Sequence, residues 1–177
     1  MCIRDSAPVN PSLVLDNNDP RFIQSREVID HLERHSNLAC LDWDDFEHLI
    51  RELFERAFKS TGGEVHVTQA SRDQGVDAVV LDPDPLRGGK IIIQAKRYTN
   101  TVDLSAVRDL YGTVINEGAT RGVLVTTSHF GADSYSFASG KPLTLMNGEQ
   151  LLGLLQQHGY KFRIDLEEAK RLQKLQS

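Results

Sequence analysis

The chain is predicted to be an α/β protein of three layers, a central mixed β-sheet flanked by helices on both faces. Two observations carry this expectation. The apolar periodicity changes along the sequence in the order α, β, β, β, α, β, α, β, α, which calls for a sheet covered by helices. In addition, the first strand segments are separated by turn chemistry, as in an antiparallel meander, whereas "RGVLVTTS" is the mostly apolar run of a buried parallel strand. With 177 residues, 40% hydrophobic and 25% charged, the composition is that of a globular protein. A chain of this size can bury roughly 70% of its unfolded surface.

The elements follow in order. "MCIRDS" connects to nothing downstream and reads as a cloning or assembly scar. "APVNPSLVLDNNDP" is rich in Pro and Asn, so residues 1–20 are expected to be linker or a truncated upstream region. Residues 21–40 form a lead-in with a short helix from Ser25, its N-cap, carried by Val28, Ile29 and Leu32. A stronger helix spans about Asp42 to Lys59, with Trp43, Phe46, Ile50, Leu53, Phe54 and Ala57 on its apolar face and Gly62-Gly63 at its end. "EVHVTQ", "GVDAVVL" and "KIIIQAKRY" are strands, the last two joined by the turn "DPDPLRGG". There follow a helix in "DLSAVRDLYGTVINEG", the strand "RGVLVTTS", a short helix near Ala132 to Ser139, the strand "PLTLM" and the helix "GEQLLGLLQQHG". Residues 160–177 add a last strand and a polar helix with a Leu166, Ala169, Leu172 stripe suited to docking on the core or on a partner. Residues 41–159 are the expected catalytic unit.

Cys2 and Cys40 supply neither a disulfide framework nor a zinc signature, which points to a reducing, cytoplasmic setting. No apolar run reaches the eighteen or so residues of a membrane span. The formal net charge of -5 offers nucleic acid no global attraction, so a nucleic-acid partner must be held by a local patch.

The chemistry lies in "GVDAVVLDPDPLRGGKIIIQAKRY". Gln94 and Lys96 project from one face of their strand, and Ile91, Ile93 and Ala95 from the other. A hairpin setting Asp77 opposite or diagonal to Gln94 would bring three polar groups together. Plainer alternatives are a turn-capping role for Asp77 and a solvated edge lysine for Lys96. On the preceding helix Glu47 falls at the edge of the apolar arc, whereas Asp45, Glu52 and Glu55 fall outside it. A half-buried carboxylate near a second one calls for a divalent ion, the alternative being an arginine partner. Two carboxylates and an amide offer only oxygen, which suits Mg²⁺ or Mn²⁺ and, through them, phosphate chemistry with Lys96 orienting a water or offsetting charge.

"FE" on the first helix, "GVD" on one strand and "QAK" on the next resemble the Mrr-type restriction endonuclease catalytic domain, within the PD-(D/E)XK nuclease superfamily. The resemblance covers about residues 40 to 158 and includes "RGVLVTTSHF" and "LTLMNGEQLLGLL". It implies a restriction-endonuclease-like fold and a metal-dependent DNA endonuclease serving restriction or phage defence. Asp77 and Gln94, with the Ala95 carbonyl, would hold Mg²⁺ or Mn²⁺; Glu47 would stand nearby and Lys96 would be the catalytic lysine. Gln94 replaces the Glu that many superfamily members carry, which lowers the charge on the ion and raises the importance of Glu47.

Arg72, Tyr98, Thr127 and Ser128 are candidate DNA contacts, the last two through hydroxyls and amides at a strand end, although capping explains them nearly as well. Lys90, Arg97, Arg108, Arg121 and Lys141 could add a basic rim, with Arg97 ranked low because it faces away from Lys96; Trp43 is expected in the core. A nuclease-fold module that binds nucleic acid or protein without cutting is the alternative, disfavoured because every catalytic residue type is present. A resolvase acting on branched DNA would use the same chemistry. Nothing resembles a winged-helix DNA reader, so specificity is expected from a missing N-terminal region, a partner subunit or a homodimer, with the C-terminal helix as its interface.

Overall fold

The structure, a computed structural model, describes residues 27–67 and 78–177. The first long helix, α1, spans Trp43–Phe58. Asp42 stands at its N-cap in extended conformation, and Asp44 and Asp45 place negative charge in the first turn, where the helix dipole favours it. Phe46, Leu49, Ile50 and Leu53 share one buried stripe at 1% exposure or less. A 3-10 turn at Lys59–Thr61 then ends on Gly62, whose φ of 77° is the left-handed cap that glycine adopts without penalty.

Three strands follow as the expected meander: β1 (Glu64–Val67), β2 (Ala78–Asp82) and β3 (Gly89–Lys96). Both pairings are antiparallel, Val67 facing Ala78 and Ala78 facing Ile93. In the turn between β2 and β3 the Asp84 side chain accepts from the amides of Leu86 (2.8 Å) and Arg87 (3.0 Å). Those two bonds hold its carboxyl below the ordinary range. Helix α2 (Leu104–Asn116) leads to β4 (Arg121–Thr126), then come α3 (Ala132–Ala138), β5 (Leu143–Met146), α4 (Gly148–Gln157) and α5 (Leu166–Gln176). β4 runs parallel to β3 and β5 parallel to β4, so the described sheet is mixed, in the order β1-β2-β3-β4-β5.

Strand alternation sorts the apolar residues into two cores, as three layers require. Ile91, Ile93, Ala95, Val123 and Val125 pack with α1 and with Leu151 and Leu155 of α4. Ile92 and Leu124 pack on the opposite side with Val107, Leu110 and Val114 of α2. The fold is therefore the α/β, three-layer arrangement expected.

Four local expectations are corrected. The lead-in forms 3-10 turns at Ile29–His31 and Leu38–Cys40 instead of a regular helix, and Ser25 lies outside the described residues. Residues 160–165 form no strand; a single bridge joins Arg163 to Asn37. Trp43 is 59% exposed because it starts α1, before the helix reaches the sheet. In α5 only Ala169 is buried, while Leu172 is 44% exposed, so the stripe docks at one point.

That docking is polar. Asn37, 7% exposed, accepts from the amides of Ala39 (3.1 Å) and Asp165 (3.0 Å), and donates to the Asp165 carbonyl (2.8 Å) and to Glu168 Oε2 (2.7 Å). The Leu38 amide donates to the Arg163 carbonyl at 2.9 Å. The lead-in and the C-terminal extension thus hold each other on the body of the domain.

Candidate active site

Gln94 and Lys96 sit in the last turns of the β3 pleat, opposite Leu124 and Thr126 of β4. Ile91, Ile93 and Ala95 face α1, whereas Ile92 faces α2, so alternation turns Gln94 and Lys96 together toward the α2 side. Gln94 is buried at 3% exposure and Lys96 is half-buried. A buried amide and a cation two residues on stand at the carboxyl end of β3, the end of a parallel sheet at which open α/β folds take their ligands.

Asp77 and Arg72 lie outside the described residues. The β2–β3 ladder pairs Ala78 with Ile93, the residues next in sequence to Asp77 and Gln94. Glu47 is half-buried near the start of α1, in the layer on the other side of the sheet from the face that Gln94 and Lys96 share. The strand thus brings Gln94, Ala95 and Lys96 together, and α1 brings Glu47 from a separate layer. Among the described residues no three His, Cys, Asp or Glu side chains gather as a metal site. The described donors on β3 are an amide oxygen and a main-chain carbonyl, oxygen groups of the kind a hard divalent cation takes.

Glu47 is not the one inward acid of α1. Glu52 is 4% exposed, and its carboxylate accepts from the amides of Val28 (3.1 Å) and Ile29 (2.7 Å), with Arg51 at 3.7 Å. The lead-in covers a helix face that periodicity alone assigns to solvent. A buried acid bound to two amides is a structural anchor for that segment.

The Thr126–Thr127–Ser128 run is tied into the sheet. Thr126 Oγ1 donates to the Lys96 carbonyl and Thr127 Oγ1 to the Tyr98 carbonyl, each at 2.7 Å. The Ser128 amide donates to Thr126 Oγ1 at 3.1 Å, and the Ser128 carbonyl accepts from the Gly148 amide at 2.9 Å. The Thr127 hydroxyl hydrogen is therefore used to hold the segment after β3. Ser128 Oγ is buried without a hydrogen-bond partner. It lines a cavity of about 300 Å³ with His129, Asn147, Leu152, Ile164 and Leu166. Tyr98 is 42% exposed just past Lys96.

The expected basic rim disperses. Lys90 pairs with Glu117 at 2.6 Å and begins β3, roughly 20 Å along the strand from Lys96. Arg121 faces Ile91 at that same far end. Arg97 Nη1 donates to the Ala39 carbonyl at 3.0 Å, which fixes the lead-in. Arg108 lies over the Phe137 ring at 5.7 Å, and Lys141 over the same ring at 4.3 Å, so both belong to an α2–α3 aromatic cluster.

A mixed sheet with Gln-x-Lys closing its central strand defines a restriction-endonuclease-like α/β domain. Residues 38–155 match the family model described as "Restriction endonuclease", of the Mrr catalytic type, and the chain belongs to that family. It is similar to the type IV methyl-directed restriction enzyme EcoKMrr of Escherichia coli K12, with 29% identity over 154 residues. That match covers 84% of this chain and 50% of the relative, so the chain spans about half the relative's length. Among solved structures, the DNA modification-dependent restriction endonuclease AspBHI aligns at 19% identity and a TM-score of 0.47, covering 87% of this chain and 43% of that one. MspJI restriction endonuclease, in complex with an oligonucleotide, aligns at 18% identity and 0.44, covering 71% and 35%. No helix among the described residues is long and apolar enough to cross a membrane.

Proposed function

We propose that this chain carries the catalytic domain, residues 41–159, of a metal-dependent DNA endonuclease that hydrolyses phosphodiester bonds in restriction. The observation that supports it most is the pairing of buried Gln94 with half-buried Lys96 on one face of β3, at the carboxyl end of the parallel strands. Family membership supports the same reading. Asp77, Gln94 and the Ala95 carbonyl would hold Mg²⁺ or Mn²⁺; Glu47, the expected fourth group, belongs to the α1 layer on the other face of the sheet and would have to act around the sheet's end. A bound divalent ion supplies Lewis acidity toward a phosphate oxygen and lowers the pKa of water. Lys96 orients the attacking water and offsets charge developing on the phosphorus centre. Tyr98, and Arg72 upstream of it in the sequence, would serve as contacts to the DNA backbone.

Double-strand cleavage needs two such sites, which a homodimer would provide. The relative's description as methyl-directed makes methylated DNA the first substrate to compare with unmethylated DNA. The test is conversion of supercoiled plasmid to nicked or linear forms with Mg²⁺ or Mn²⁺, using wild type, Lys96→Ala, Asp77→Ala and an EDTA control. Cleavage by wild type that each substitution and EDTA abolish is expected. Equal cutting by the variants refutes the site; folded protein that never cuts favours a nuclease-fold binding module.

A further inference from the structure

The C-terminal helix crosses the end of the sheet where the candidate site lies. At its start, Leu166 lines the cavity with Ser128 and Asn147, at the ends of β4 and β5. Farther along, Lys170, Gln173, Lys174 and Ser177 line a groove of about 390 Å³ with Thr99 and Asn100, which follow β3. Eleven residues of helix extend about 16 Å, enough to pass over the ~10 Å between β3 and β5. α5 thus bridges the carboxyl ends of the three parallel strands.

The groove has a consistent chemistry. The side chains of its six lining residues offer ammonium, amide and hydroxyl groups, none of them acidic and none purely apolar. The acids of α5, Glu167 and Glu168, belong to its first turn, and Glu168 is turned to Asn37 and Arg163. Among the described residues Lys174 has no acid within ion-pair distance, and Lys170 has only the exposed Glu167 at 3.3 Å. Several other cations are already committed: Arg163 to Glu168, Lys90 to Glu117, Arg56 to Asp30 and Arg97 to a carbonyl. In a chain of net charge -5, Lys170 and Lys174 thus form a local positive surface beside the segment that follows β3.

Thr99 is three residues beyond Lys96, so their Cα atoms are at most about 11 Å apart. We infer that α5, through Lys170 and Lys174 with Thr99 and Asn100, is a DNA-backbone clamp beside the scissile position. The inference rests on the nuclease reading above and adds an assigned contact surface. It gives α5 a different occupant from the dimer partner that the sequence suggests.

The test is binding of the full chain to a short duplex by fluorescence anisotropy across a salt titration, with Ca²⁺ present to suppress cleavage. Lys170→Gln with Lys174→Gln is compared with a charge-matched control, Lys59→Gln with Arg87→Gln, placed at the opposite end of the sheet. Loss of two phosphate contacts lowers the slope of log K against log salt by about 1.8, while the control keeps the wild-type slope. Lys59, Arg87 and Lys174 are exposed and Lys170 is half-buried, and melting curves check the fold. An unchanged slope in the lysine pair, with wild type binding and cutting DNA, overturns the clamp and leaves the nuclease reading standing. Equal slope changes in both pairs also overturn it, since the effect is then global charge. A wild type that neither binds nor cuts DNA overturns both.

Discussion

Gly148 and Gly153 lie in the same ten-residue helix, and alanine at each should change stability in opposite directions. A Cβ built on Gly148 would stand 2.5 Å from the Thr127 carbonyl oxygen and 3.1 Å from Ile164 Cδ1. The first contact is with backbone that Thr127 and Ser128 pin to β3 and α4, so it cannot swing aside as a side-chain tip would. Relief requires α4 to slide away from the end of β4, which stretches the 2.9 Å bond from the Gly148 amide to the Ser128 carbonyl. Overpacking of this kind costs about 1–3 kcal/mol, and the strained hydrogen bond about 1 more. Gly148→Ala should therefore lower the melting temperature by roughly 4–16 °C in a chain of this size. At Gly153 a Cβ meets nothing within 4 Å, and the residue is exposed on the helix. Gly153→Ala should raise stability by about 0.5–1 kcal/mol through helix propensity, or roughly 1–4 °C. Thermal melts of the two single variants against wild type provide the comparison. A neutral or stabilising Gly148→Ala would refute the tight seating of α4 on the strand that carries Thr127 and Ser128.

Two further predictions concern the clasp between the chain's lead-in and extension. Asn37→Ala removes three bonds to main-chain groups and should destabilise by about 2–3 kcal/mol, read as a lower urea midpoint and as faster amide exchange at Leu38. Hydrogen bonds from Arg163 and then Asn37 hold the Glu168 carboxyl below the ordinary glutamate range. A carboxyl lowered on folding contributes stability that is fully present at neutral pH and is lost as the pH falls through and below that range. Proteolysis of the α5 segment should accelerate on such acidification in wild type, and Glu168→Gln should flatten the dependence.

Much of this architecture was legible before any coordinates. Helix α1 announced itself by its three- and four-residue apolar steps and by Gly62, the meander by "DPDPLRGG", and the orientation of Gln94 and Lys96 by strand alternation. Such features depend on residues near one another in the chain, where the helical period, the pleat and turn sterics act directly. What lay hidden depends on segments far apart. Glu52 looks solvent-facing by helical period, yet residues 24 positions earlier fold over it and bind its carboxylate. Lys90 looks like part of a rim until Glu117, from the end of α2, meets it at the far end of the sheet. Residues 160–165 look like a strand, but the edge they reach is a lead-in offering a single bridge at Asn37. Periodicity reports which face of an element is apolar and leaves open what will cover its polar face. Only the packed chain determined that α5 would cross the carboxyl ends of β3, β4 and β5, because the closure is made by Asn37 and Arg163, 126 residues apart.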